Sequence, residues 1–262
     1  RRSGGIWRGR VVENKPLMKF QELRLSGKDL KELPAERAAF LALLLNAYNE
    51  VNVLMRLQAL NGMDTTEPGP IRAFGDSTKL FLARTLSAKL FEVVELLEAK
   101  KSWNKTNDEV INDFSKRSLE KFQKVTKQDG YQIARTLRHE IVNHYSLKAA
   151  TKNIASLEDD ADHTNYIHKK GDTSYAQLGE KDVIREKYRR GVLSSKSGDN
   201  LTQFRTWVEW TLEARRWLWE VSAEFLVETI PLGPEKWKKD RVYYLDDVFV
   251  GDLGDTFAPL FL

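Results

Sequence analysis

The chain has 262 residues, 41% of them hydrophobic and 31% charged, with 42 Lys or Arg against 38 Asp or Glu and no cysteine. Disulfides, cysteine-ligated zinc or iron–sulfur centres and thiol nucleophiles are therefore excluded, and a reducing, cytoplasmic setting is expected. No uninterrupted apolar run approaches the roughly 18–20 residues needed to cross a bilayer, and the first ten residues hold four arginines, so neither a membrane partner nor a secretory signal is expected.

Along the chain, residues 1–33 read as a basic N-terminal segment, with nine Lys or Arg against three acids up to Lys31. Such a head suits phosphate contact or a solvated terminus. Strand-like pieces such as Leu23-Arg24-Leu25 occur within it. Pro34 suits the first position of a helix. From Ala35 to Leu60 the apolar residues Phe40, Leu44, Ala47, Val51, Leu54 and Leu57 recur at helical steps, predicting a first long helix that ends near Gly62. A Pro- and Gly-rich loop is expected over Glu67–Gly75. Asp76 or Ser77 then caps a second helix over 77–101, whose stripe runs Leu80, Phe81, Arg84, Leu86, Leu90, Val94 and Leu97. Thr106 or Asn107 caps a third, over 108–127, and Asp129 a fourth, from Gly130 to about Ser156.

The stretch 157–200 is irregular, with a turn at Gly171 and a helical piece over Gly179–Arg190. A fifth long helix is predicted over 201–229, stopped by Pro231. There Trp207, Trp210, Ala214, Trp217 and Val221 make a packing seam, in the core or between subunits; Trp219 shares the helix, and base stacking on these rings is an alternative use. Residues 231–262 form a C-terminal arm. It carries a basic–aromatic cluster, Lys236, Trp237, Lys238, Lys239 and Arg241, read as a solvated turn or a phosphate contact, and then four aspartates with no further cation. The fold class is thus mainly all-α: a bundle of four to five long helices over 34–230 with small non-helical additions.

The four histidines, His139, His144, His163 and His168, lie within thirty residues and are the natural place for proton transfer near neutral pH. At about 100° per residue, the fourth helix gathers Ile133, Ala134, Leu137, Ile141, Val142, Tyr145 and Ala149 on one broad apolar face. His144 and Arg138 fall inside that face, His139 and Asn143 on the polar side, and Glu140 at the edge. A guanidinium on an apolar face is costly unless paired or set at a cleft. Arg138 therefore implies either an Arg–acid pair within the bundle or a site. On a straight helix Arg138 and His144 are about 9 Å apart along the axis and do not easily converge on one atom, so two copies about a two-fold axis would be needed for a composite pocket.

Arg138-His139, four residues, then His144 resembles the signature of the HEPN superfamily: an Arg, often followed by Asn, Asp or His, and a His four to six residues beyond. The resemblance covers about residues 35–156 and is nearest to the abortive-infection and toxin-type members. It implies a HEPN-like helical bundle acting as a homodimeric, metal-independent endoribonuclease in toxin–antitoxin or antiviral defence, with RNA as substrate, no cofactor, and an antitoxin or defence-complex protein as partner. His144 would serve as general base on the 2′-hydroxyl or as acid on the leaving oxygen. Arg138 would hold the phosphate and its transition-state charge, giving a 2′,3′-cyclic phosphate. Glu140 would orient His144, and His139 fills the variable slot after the Arg. Arg135, Asn143, Tyr145 and Lys148 on the same helix are the substrate-holding candidates. Some toxin members carry a modifiable Tyr two residues past the His; here Tyr145 follows directly, so that regulation is not expected.

Two rivals stand beside this reading. His139 and His144 are five apart, not the four of the zinc-protease helix, and a metal bound by His163, His168, Asp160 and Asp162 is weaker than a merely polar loop, so no metal is expected. The other rival is a non-catalytic HEPN-like module that binds nucleotide, RNA or a partner protein.

Overall fold

The computed structural model describes residues 18–23, 25–60, 69–99, 101–138, 151, 154–155, 165–166, 175–176, 200–230 and 237–243. In chain order these form strand β1 (Met18–Leu23), helices α1 (Gly27–Lys31), α2 (Ala35–Leu60) and α3 (Gly69–Glu98), a 3-10 turn (Ser102–Asn104), helices α4 (Glu109–Thr126) and α5 (Asp129–Thr136), strands β2 (Asn165–Tyr166) and β3 (Tyr175–Ala176), helix α6 (Asn200–Thr229) and strand β4 (Trp237–Tyr243). The described chain is mostly helical, as the periodicity requires. α2 and α6 keep the predicted bounds to within a residue.

Four boundaries differ from expectation. α3 begins at Gly69, eight residues before the expected start at 77, taking in much of the Pro- and Gly-rich stretch, and it ends at Glu98. Pro70 is compatible with this because a first-turn proline lacks only an N–H that has no intrahelical acceptor. At the other end Ala99 adopts φ 47°, a left-handed stop more usual for glycine. The cap of α4 is Asp108, not Thr106 or Asn107: its carboxylate accepts from the N–H groups of Val110 and Ile111. The cap of α5 is Gln128, not Asp129, and its side chain makes no capping bond.

Although polar residues interrupt its apolar runs, Ala35–Ala59 of α2 is long and apolar enough to cross a membrane by length and composition alone. Within the bundle, Phe40, Leu41, Leu44 and Val51 bury against neighbouring helices. α2 packs on α3 and α6, while α4 and α5 close over α3 and α6. The spacing of Trp207, Trp210, Ala214, Trp217, Leu218, Val221 and Phe225 runs one fully buried stripe down α6, so the tryptophan seam is core. Trp219 stands apart, half exposed and 5.0 Å from the Tyr48 ring. Two of the buried indoles find partners on other helices, Trp207 Nε1–H donating to Ser87 Oγ and Trp217 Nε1–H to the Ser118 carbonyl, while Trp210 Nε1–H is buried without one among the described residues. Phe40, Phe114 and Phe225 interlock with centroids 4.7–6.4 Å apart, the offset and edge-on contacts that rings prefer.

β1 pairs antiparallel with β4, Met18 opposite Tyr243 and Leu23 opposite Trp237, with an irregularity between Phe20 and Glu22. The segment read as a basic turn is thus partly a strand, because a strand-like piece near the other end supplies its hydrogen-bonding edge. β2 and β3 form a small second ribbon bracketing 167–174. The rest of the basic head, the Gly179–Arg190 helix and the arm beyond Tyr243 lie outside the described residues.

The α5–α6 crossing rests on Gly130. A Cβ there would stand 2.3 Å from Trp210 Cβ and 2.5 Å from the Thr206 carbonyl oxygen, and neither can move without shifting α6. Gly130→Ala should destabilise the fold by about 3 kcal/mol, the upper part of the usual overpacking range, seen as a lower urea midpoint. Gly27→Ala, where nothing lies within 4 Å, should stay within about 0.5 kcal/mol of the parent. Equal effects would disprove the close-approach argument.

The Asp108 cap is reinforced from α2, since Arg37 Nε donates to Asp108 Oδ2 at 2.7 Å. Mainly through that bond, and against the opposing effect of burial, the Asp108 carboxyl is held below its ordinary value. A lowered folded pKa means that its contribution is complete above the unfolded value of about 3.9 and is lost as pH falls from there through the folded value. Asp108→Asn should therefore lower stability at pH 7 and flatten the stability profile below about pH 4, measured by urea unfolding across pH. A parallel offset at every pH would show that Asp108 acts only through its neutral capping geometry.

Candidate functional site

α5 carries the part of the motif that lies within the described residues. Ile133, Ala134 and Leu137 are buried against the core. At Leu137 and Arg138 the helix widens into a π-type turn, a distortion frequent at functional positions. It departs from the straight-helix geometry assumed from spacing.

Arg138 is mostly covered, its side chain 16% exposed, and is ion-paired with Glu95 of α3 through Nη2 and Oε1. The guanidinium lies over the Phe91 ring, 5.1 Å from its centroid, where the negative face of the ring favours a cation. Glu95 is shared: its Oε2 sits 2.6 Å from Lys101 Nζ. Burial holds the Arg138 pKa below its ordinary value, and the nearby Glu92 carboxylate opposes that shift; an arginine stays charged throughout. Among the described residues, Arg138 Nε and Nη1 have no bonded acceptor. The arrangement is a cation fixed by a carboxylate on one edge and an aromatic face beneath, with N–H groups left over. That can bind an oxyanion, or simply staple α5 to α3.

Arg135, about one turn earlier, is exposed and available to a polyanion. His139, Glu140, Asn143, His144, Tyr145 and Lys148 lie outside the described residues, as do His163, His168, Asp160 and Asp162. Helical backbone appears again at Thr151 and Ile154, with Ala155 N–H bonded to the Thr151 carbonyl. Among the described residues no three His, Asp or Glu side chains are grouped to hold a metal.

Sequence reasoning left Arg138 either an acid partner within the bundle or a site, and named no partner acid; the structure supplies Glu95. The signal was present and ambiguous: Glu92, Glu95 and Glu98 recur at three-residue steps on α3, and only the packing of α5 selects among them. Phe91, which the sequence reading did not single out, is a core residue that doubles as the cation's platform.

No family model, no curated protein and no solved structure matches the chain.

The Arg138–Glu95 pair yields a stability test. Removing the acid strands a largely desolvated cation, whereas removing both partners does not. Glu95→Gln should cost more than the Glu95→Gln/Arg138→Met double variant, by about 1–2 kcal/mol in a double-mutant cycle, measured by urea denaturation. Strict additivity would mean that the pair does not couple α5 to α3.

Proposed function

We propose that this chain is a metal-independent endoribonuclease of the HEPN type, working as a homodimer in a toxin–antitoxin or antiviral-defence setting in the cytoplasm. The observation that carries the reading is Arg138: a guanidinium at a widened helix turn, held in place by Glu95 and Phe91, with N–H donors left over on the described side. Preorganised donors of this kind stabilise developing phosphate charge without reorganising during reaction. In this scheme His144, six residues on, moves the proton: it takes it from the 2′-hydroxyl or gives it to the leaving oxygen, so that the 2′-oxygen attacks phosphorus and the 5′-oxygen departs. Arg135 adds a solvent-facing cation that favours a polyanionic strand. In the same scheme Glu140 orients His144, His139 fills the variable slot after the Arg, and Asn143, Tyr145 and Lys148 hold substrate.

A second reading is favoured by the Glu95 contact itself. A carboxylate already neutralises Arg138, as it would in a helical module that binds a partner protein or RNA without cutting it.

The two separate in one experiment: total RNA and purified tRNA incubated in EDTA with the parent protein, Arg138→Ala and His144→Ala. The parent should cut and leave 2′,3′-cyclic phosphate ends, and each substitution should slow cutting by about 10²-fold or more with the helical signal in circular dichroism unchanged. A folded parent that binds RNA without cutting supports the module. Cutting that disappears in EDTA yet survives both substitutions rules out the proposed mechanism.

A further inference from the structure

Along the outer seam between α2 and α6 the two helices run antiparallel, and their contacts fix the register. Ser222 Oγ lies 3.5 Å from the Leu44 carbonyl oxygen, the Tyr48 and Trp219 rings are 5.0 Å apart, and Arg215 Nε donates to Asn52 Oδ1 at 2.6 Å. One further turn brings Arg56 level with Thr211 and Leu212. Three arginines then follow one another along the seam: Arg205, Arg56 about 9 Å further on along the axis, and Arg215 about 6 Å beyond that. Trp219 stands one turn past Arg215. It is 50% exposed, whereas Trp207, Trp210 and Trp217 of the same helix are at most 4% exposed.

Charge is sorted across α6. At about 100° per residue, Arg205, Arg215 and Arg216 fall with Trp219 and Leu212 in one arc of about 100°, and Glu209, Glu213, Glu220, Glu224 and Glu228 fill the next. Glu224 and Glu228 meet Arg117 and Lys121 of α4, and Glu213 holds Arg216, so the acids lie on the flank away from α2. From α2 itself, Glu50 pairs with Lys89 of α3 and Glu36 bonds Thr106. Arg56 and Arg205 are exposed and have no partner among the described residues. Arg215 spends only its Nε on Asn52, which leaves both Nη groups without an acceptor among those residues.

We infer that this seam is a binding track for single-stranded nucleic acid, with Arg205, Arg56 and Arg215 on backbone phosphates and a base stacked on Trp219. A row of cations that no carboxylate neutralises attracts a polyanion. The guanidinium fork takes phosphate oxygens in pairs, and an indole face accepts any base. An acidic peptide answers the arginines alone; a strand of nucleotides answers the arginines and the ring together. A duplex keeps its bases stacked on one another and out of reach of Trp219. The track is apart from Arg138, because α5 packs through Gly130 on Thr206 and Trp210, about 140–180° round α6 from Trp219. It goes beyond the cleavage reading, since it holds a strand whether or not that strand is cut.

The probe is a dye-labelled 2′-O-methyl oligouridine of roughly 12 nucleotides, which lacks the attacking hydroxyl and so reports binding apart from cutting. Fluorescence anisotropy with the full-length protein in EDTA should show binding that weakens from about 50 to 200 mM salt. Trp219→Ala should weaken it about tenfold, and an abasic strand of equal length should bind the parent at least that much more weakly. Arg56→Gln/Arg205→Gln should lower the slope of log affinity against log salt by about 1.4, two phosphate contacts at about 0.7 each. Both variants should keep the parent's helical circular dichroism. A folded parent that does not bind the strand at the lowest salt overturns the assignment. So does binding that both variants leave at parental strength, or polyglutamate of equal charge binding as tightly as the strand. Dispersal of a dimer by Trp219→Ala in sedimentation, with strand affinity unchanged, gives the face to a second copy and overturns it too.

Discussion

The arrangement of this bundle depends on one absent side chain. At Gly130 the backbone of α5 lies against Trp210 and the Thr206 carbonyl so closely that no Cβ fits. That contact sets the depth of α5 on α6. It lets Ile133 and Ala134 bury, brings Tyr131 to 5.6 Å from Phe91 and delivers Arg138 to the α3 face where Glu95 waits. Move α5 outward by the width of a methyl group and the cation loses both its carboxylate and its ring.

Much of the architecture is legible in the sequence because helix periodicity is a local signal. α2 and α6 declare themselves through unbroken three- and four-residue spacing, and the tryptophans of α6 announce a core by being too large and too regular for a surface. The start of α3 is hidden because Pro70 and Gly75 look like loop residues, yet the first turn of a helix tolerates one and a helix interior accepts the other at modest cost. The β1–β4 ribbon is hidden for another reason. A strand is stabilised by a partner, and nothing in MKFQEL points to a mate near the far end of the chain.

The site was half legible. That Arg138 implies either a paired acid or a site follows from its position on an apolar stripe, and the structure supplies the acid, Glu95. Which of three glutamates answers, and that Phe91 lies beneath the guanidinium, are products of packing between α3 and α5. The widened turn at Leu137–Arg138 was not foreseeable from spacing, since an ideal wheel assumes one pitch throughout. The same pairing that immobilises Arg138 also offsets its charge. An anion arriving there competes with Glu95, and Lys101 on the far carboxylate oxygen eases that competition by giving Glu95 a second cation.

The ribbon has a consequence for the order in which the molecule assembles. Leu23 meets Trp237 across nearly the whole chain, and closing so long a loop is entropically expensive until something else has drawn its ends together. The bundle must do that first, so β1 spends the early life of each molecule as an unpaired edge. A molecule whose bundle has formed but whose ribbon has not is therefore the species most open to strand exchange.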